Sequence, residues 1–276
     1  MRPTMLVILA VSTCFASSYT FLMEGVPVET PSLGFTFMHP LMDPDWTGVT
    51  SASGTFELRG TLGIARSLDL QLAIPYLVME REDSDNSASA VGNLTLKLGT
   101  SRRFWEEHGW TGHFSVCLPT MSRNSDTQWA AFIGSVTNHY RGMGRYTQGA
   151  LTIEAMYSSM NRLNMTNILL GFEIGTAVRI PTGEDPIPGD TELLVDYGFA
   201  GAVESGRMSF SLELVGLGTV TEGSESFFER FSHAAVFGWR WLGGTVRPGI
   251  CLQINTGNNV DGFVDGVVGL DVELDL

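Results

Sequence analysis

The feature that most limits how this chain can fold is a two-residue alternation of apolar and polar side chains, present through most of the sequence after about residue 55. In residues 168–180, six apolar side chains fall on even-numbered positions, while Glu173 and Arg179 fall on odd-numbered ones. Because successive side chains of a β-strand point to opposite faces, this pattern predicts strands with one apolar and one polar face. No segment after the N-terminal signal shows a persistent helical period. The sequence therefore predicts an all-β fold.

The alternating runs predict about twelve strands, within a range of 10–14, joined by connections of two sizes. Short turns are predicted at residues 65–67, 204–207 and 242–245, and longer polar loops at residues 81–90, 120–127, 181–190 and 221–226. Division of residues 33–276 gives about thirteen pieces, whereas a bacterial barrel normally has an even number of strands. We therefore expect one wrong assignment, either the short run at residues 33–38 or a strand missed within residues 128–166.

Alternation alone leaves two folds open, since the apolar face of such strands can meet either a protein core or lipid. Several runs reach the roughly 9–11 residues that a tilted strand needs to cross the hydrocarbon layer. The chain also ends in LDVELDL, an alternating strand that continues to Leu276, as expected where a last strand closes a barrel onto the first. These features favour an antiparallel up-and-down transmembrane β-barrel, and a soluble β-sandwich is the alternative.

The N-terminus predicts export, and together with the predicted barrel this places the protein in the cell outer membrane. MRPTMLVILAVSTCFASS combines Arg2, an apolar run and small residues up to Ser18, as in a secretory signal peptide over residues 1–18. A lipoprotein signal acylated at Cys14 is the second interpretation. We assign residues 19–53 to an N-terminal segment that supplies a plug or the first strand, and residues 54–276 to the barrel.

Three stretches resemble an outer-membrane family described as transporters of the phenol-degradation meta-pathway. They are GTLGIARSLDLQLAIPYLV (residues 60–78), VGNLTLKLG (residues 91–99) and VRIPTGEDPIPGDTELLVDYG (residues 178–198). In that family an apolar-Pro-Tyr strand end precedes a Gly-Asp-Leu-type strand, and here Asn93 stands in place of the aspartate. The resemblance implies a β-barrel that takes up small, often hydrophobic, molecules.

The expected partners are outer-membrane lipid, the barrel-insertion machinery and a small-molecule solute. The closing strand resembles the C-terminal signal that outer-membrane barrels present to that machinery, with Leu276 in place of the usual aromatic residue. A formal net charge of −14 disfavours a nucleic-acid partner. No cofactor and no metal site is predicted, because the five histidines lack the spacing of metal ligands.

If the apolar face meets lipid, the opposite face lines the lumen. The predicted lumen-lining residues are Glu57, Arg59, Asp69, Lys97, Glu154, Glu173, Arg179, Asp196, Glu213, Arg240, Arg247, Asp271, Glu273 and Asp275. Charges of both signs either pair across the lumen and stiffen the barrel or line a wet path that favours cations. Tyr76, Trp239 and Trp241 are predicted at the membrane interface, where amphipathic rings accumulate.

The functional hypothesis is a porin-like or transporter barrel that passes or binds small molecules without catalysis. A secreted β-sandwich with a binding or structural role is the alternative, and a lipid-modifying barrel enzyme is the third hypothesis. The third depends on His113 and Ser115, whose His-x-Ser spacing resembles the catalytic pair of outer-membrane lipid-A deacylases. Cys117 and Cys251 either pair in a disulfide or remain two buried thiols.

Overall fold

A computed structural model describes residues 21, 31–42, 53–65, 67–80, 87–105, 108–122, 125–140, 142–163, 166–182, 189–221, 230–256 and 264–276. The predicted signal peptide over residues 1–18 lies outside these ranges. In the described part of the chain, no helix is both long and apolar enough to span a membrane.

The described ranges contain thirteen strands and one α-helix. The strands are β1 (Ser32–Met42), β2 (Gly54–Ala65), β3 (Leu68–Met79), β4 (Ala88–Val91), β5 (Thr95–Trp105), β6 (His108–Cys117), β7 (Ala150–Arg162), β8 (Ile168–Pro181), β9 (Glu192–Ser205), β10 (Met208–Thr219), β11 (Phe231–Trp241), β12 (Val246–Thr256) and β13 (Val264–Asp275). The helix α1 spans Ser125–Thr137, and a short 3-10 turn follows at Met143–Arg145.

The strands form one antiparallel sheet that closes on itself. β1 pairs with β13 on one side and with β2 on the other, and β2 pairs in turn with β3. β4 and β5 pair with successive parts of β3, so the four-residue β4 and the longer β5 share one position in the ring. The ring therefore has twelve positions, an even number. The predicted all-β up-and-down barrel of about twelve strands is confirmed, and the β-sandwich is wrong.

The two segments that the strand count made suspect both contain strands. Residues 33–38 belong to β1, which lies within the predicted N-terminal segment, and β7 is the strand that the sequence pattern missed. The expectation of no helix after the signal is wrong, because α1 starts inside the predicted loop at residues 120–127. The side of α1 away from the wall is only partly covered, yet it carries the apolar residues Trp129, Phe132 and Val136, so the sequence lacks an amphipathic period.

The two ends of the barrel differ in their connections. The links β2–β3, β5–β6, β7–β8, β9–β10 and β11–β12 contain two to five residues, whereas all links at the other end are longer. β1 begins and β13 ends at the end with the short turns, where Ser32 pairs with Asp275. Outer-membrane barrels place short turns in the periplasm and long loops outside the cell. We use the terms periplasmic end and outer end in that sense.

Apolar side chains of the strands point outward, and polar ones point inward. Leu96 and Leu212 are 40% and 44% exposed, whereas the neighbouring Lys97 and Glu213 are 8% and 0% exposed. A sandwich would bury these leucines and leave the charges in solvent. A closed ladder with an apolar exterior satisfies the backbone and presents hydrocarbon to lipid, as a membrane barrel must. The predicted outer-membrane location is confirmed by this architecture.

Candidate functional site

The charged residues predicted for the lumen lie on the strand face opposite to the exposed apolar side chains. Ten of the fourteen are buried, namely Glu57, Asp69, Lys97, Glu173, Arg179, Glu213, Arg240, Arg247, Asp271 and Glu273. Arg59, Glu154, Asp196 and Asp275 are half-buried. The structure does not gather them at one point, because they are distributed over strands around most of the ring.

One part of this set forms connected ion pairs across the closing strands. The two oxygens of Asp271 on β13 contact Arg59 of β2 at 2.5 Å and Arg240 of β11 at 2.7 Å. Arg247 of β12 contacts Glu273 at 3.4 Å and also pairs with Asp275. Removal of one member leaves an uncompensated buried charge, which is strongly destabilising. These pairs therefore tie the last strands of the barrel to the first.

The long connection between β6 and β7, residues 118–149, folds back into the barrel. We call it the inserted segment. Its residues Ile133 and Tyr146 are buried in one apolar cluster with Leu77, an inward-pointing residue of β3. Gly134 allows α1 to approach this wall closely, since a Cβ there would clash with Cδ2 of Leu77 on β3. The inserted segment therefore fills the side of the lumen next to β3 and β4.

Polar contacts fasten the inserted segment to the wall at several points. Arg145 of the 3-10 turn forms an ion pair with Glu57 of β2 at 2.5 Å. Asn138 Nδ2, just after α1, donates to Thr55 Oγ1 at 2.9 Å. Asn93, in the break between β4 and β5, donates to and accepts from the segment's backbone. The segment is thus held by its apolar face, by side chains of β2 and by Asn93 in the break between β4 and β5.

A small cavity remains between the inserted segment and the wall opposite α1. Its volume is about 40 Å³, and Glu154, Asp196, Tyr140 and His139 are among its lining residues. A cavity of this size holds only a few water molecules. Burial, with a smaller contribution from the charge of Arg179, lowers the pKa of His139 to about 4. The imidazole is therefore neutral at physiological pH.

The remaining sequence candidates are distributed over the wall. His113 and Ser115 lie buried on the inward face of β6, and the hydroxyl of Ser115 donates to Glu154 Oε2 at 2.7 Å. Cys117 and Cys251 are buried on β6 and β12 and do not form a disulfide bond. Among the described residues, no group of three or more His, Cys, Asp or Glu is placed to hold a metal ion.

The predicted interface aromatics lie on the outward face. Tyr76 is exposed near the outer end of β3, and Trp239 and Trp241 are half-buried near the periplasmic end of β11. Sequence reasoning missed the inserted segment and its anchors Asn93, Asn138 and Arg145. The inserted segment could have been inferred from the unusually long stretch of chain between the two strands that flank it, residues 118–149.

The architecture is shared with outer-membrane channels of known structure. An outer membrane channel from Pseudomonas putida F1 superposes with a TM-score of 0.63 and 12% identity, over 92% of this chain and 97% of that one. The NanC porin gives 0.56 and 7% identity over 88% and 100% of the chains, and the KdgM porin 0.51 and 6% over 89% and 99%. No family model and no curated protein matches the sequence. The fold implied by the sequence resemblance is therefore confirmed.

Proposed function

We propose that this protein is an outer-membrane channel or transporter for small molecules, held closed by the inserted segment. The observation that carries the proposal is a closed barrel with an apolar exterior and a buried, charged interior. The similarity in fold to an outer membrane channel and two porins supports it. A scaffold without transport would not need so many charges inside, since buried ion pairs give little net stability compared with apolar packing.

We propose that the fourteen charged residues line the path and that its narrowest part lies beside the inserted segment. Glu154 and Asp196 line the cavity there, together with the apolar side chains of Ala177, Leu194 and Leu217. A solute that passes when the segment moves therefore meets two carboxylates and an apolar wall. This combination favours small amphipathic molecules and cations over anions.

We propose that opening consists of an outward displacement of the inserted segment. Gly142 and Gly149, with φ of 77° and 64°, flank the stretch that carries Arg145. Both positions suit a change of backbone direction that other residues rarely allow. Water can replace the segment's polar contacts with the wall, so displacement costs less than opening the strand ladder itself.

Planar-bilayer recording of the purified protein tests this function. We compare the natural chain with a variant in which residues 123–148 are replaced by a short Gly-Ser linker. The natural chain is expected to conduct rarely and the variant persistently, because the linker leaves the lumen open. A folded variant that is as silent as the natural chain would remove the channel proposal. Heat-dependent gel mobility verifies that both proteins are folded barrels.

We propose that His113 and Ser115 belong to the polar wall and do not form a deacylase site. Their inward orientation places them away from membrane lipid, and the Ser115 hydroxyl is engaged with Glu154. His113→Ala and Ser115→Ala are expected to leave the lipid A composition of the membrane unchanged. A change in acylation caused by either variant would restore the enzyme hypothesis.

A further inference from the structure

Phe21 occupies a shaped site on the inner wall formed by β10, β11 and β12. The residue precedes β1 in the chain, yet its side chain is only 3% exposed. Its ring lies against two glycines of neighbouring strands. A Cβ at Gly238 would be 2.6 Å from Cε2 of Phe21, and a Cβ at Gly249 would be 2.9 Å from Cζ. Only a wall without side chains at these two positions admits an aromatic ring so close to the sheet.

Two buried charged groups complete the site. The backbone nitrogen of Phe21 donates to Oε1 of Glu213 at 2.6 Å. The guanidinium carbon of Arg240 lies 4.7 Å from the centre of the Phe21 ring, which is a cation–π contact. Both charged side chains are buried. The site therefore recognises an aromatic ring and a hydrogen-bond donor at a fixed separation.

A third polar group lies beside the ring and has unused hydrogen-bonding capacity. The hydroxyl of Ser211, on β10, is buried and has no hydrogen-bond partner among the described residues. It lies close to the same Gly238 position that the ring approaches. A buried hydroxyl without a partner is costly, so a ligand that bonds to it gains affinity.

We infer that this site is a receptor for small aromatic amines and that Phe21 is its built-in occupant. In Phe21, two carbon atoms separate the nitrogen from the ring, as in 2-phenylethylamine. Such an amine places its ring against Gly238 and Gly249 and its ammonium group on Glu213. A charged donor is a stronger partner for a carboxylate than a backbone amide is, so the amine competes with Phe21. The inference that such amines are transported solutes depends on the proposed channel function. Their binding to this site can be measured without any transport.

Isothermal titration calorimetry of the full-length barrel in detergent micelles, with 2-phenylethylamine as the probe, tests the inference. Phe21→Ala is expected to bind the amine about tenfold or more tightly than the natural chain, because the competing ring is gone. In that background, Glu213→Gln is expected to weaken amine binding about tenfold or more, and to affect neutral 2-phenylethanol much less. Gly249→Val should abolish binding, because its methyl groups occupy the position of the ring.

Gly201→Ala in the Phe21→Ala background is the matched control, since a Cβ at Gly201 meets only Leu170 at 3.8 Å. It should leave binding unchanged. Phe21→Leu also removes the ring and replaces Phe21→Ala if that variant does not fold, as judged by heat-dependent gel mobility. The inference would be overturned if folded Phe21→Ala and Phe21→Leu variants do not bind the amine. It would also be overturned if adding Glu213→Gln or Gly249→Val to them leaves the affinity for the amine unchanged. If the barrel binds the amine but never conducts, the channel function is refuted and the amine site stands. If the barrel conducts but does not bind the amine, the amine site is refuted and the channel function stands.

Discussion

Asn93 is the residue whose replacement tests most directly how the inserted segment is held. Its Nδ2 donates to the carbonyl oxygens of Gly144 at 2.8 Å and Thr147 at 2.7 Å, and its Oδ1 accepts from the backbone nitrogen of Met121 at 3.0 Å. Asn93→Asp keeps the size of the side chain and the acceptor for Met121. It replaces the donating nitrogen by an oxygen that faces two carbonyl oxygens.

The magnitude follows from these contacts. Each of the two carbonyl oxygens would be left buried without its donor, at a cost of about 2 kcal/mol per group. The sum of about 4 kcal/mol lowers the free energy that favours docking of the inserted segment and not the stability of the barrel, because the strand ladder is not involved. Since 1.4 kcal/mol corresponds to a factor of ten, the undocked population rises about a thousandfold. The two carbonyl oxygens that face Nδ2 explain why asparagine suits this position in this chain better than aspartate would.

Hydrogen–deuterium exchange in detergent measures the effect, because exchange of segment amides follows the population of the undocked state. Amides of α1 are expected to exchange about a thousandfold faster in Asn93→Asp, while those of β8 and β9 stay protected. Asn167→Asp is the control, since Asn167 is exposed in the short β7–β8 turn. If α1 exchanges at the same rate in both variants, the hydrogen bonds of Asn93 do not hold the segment.

Three further predictions concern pH, selectivity and the lipid-facing wall. The pKa of His139 is lowered to about 4 from an ordinary 6.5, because the docked segment holds the imidazole in its neutral form. The free energy that favours docking is therefore fully present above pH 6.5 and falls by about 3 kcal/mol as the pH decreases to 4. Exchange of α1, corrected for intrinsic rates, should rise between pH 7.5 and 4.5, and His139→Gln should remove that dependence. Asp196→Asn should lower cation preference in the conducting linker variant, and an unchanged reversal potential would remove this carboxylate from the path. Leu212→Arg should destabilise the barrel by about 2–4 kcal/mol in denaturant titrations, whereas no loss would mean that this face does not meet lipid.

The sequence by itself determined most of the strands and which of their side chains share a face, whereas the medium that each face meets stayed open between lipid and a protein core. Alternation with a period of two is a local property, since neighbouring side chains such as Leu96 and Lys97 must point to opposite faces of one strand. The lengths of these strands favoured a barrel over a sandwich, and the closed ring of the structure decided between them. The break between β4 and β5 and the missed strand β7 show the limit of this pattern, because turn residues and small side chains weaken the alternation there.

Only the tertiary structure decided what fills the lumen. Arg145 and Glu57 are 88 positions apart in sequence, and Phe21 and Glu213 are 192 apart, so no local pattern connects them. Their meeting depends on ring closure and on the register of strands that are distant in the chain. α1 likewise has no amphipathic period, because its less buried side carries Trp129, Phe132 and Val136. Local alternation thus assigns each side chain to one of two strand faces, and the closed ring determines which face is inside and which inside groups touch.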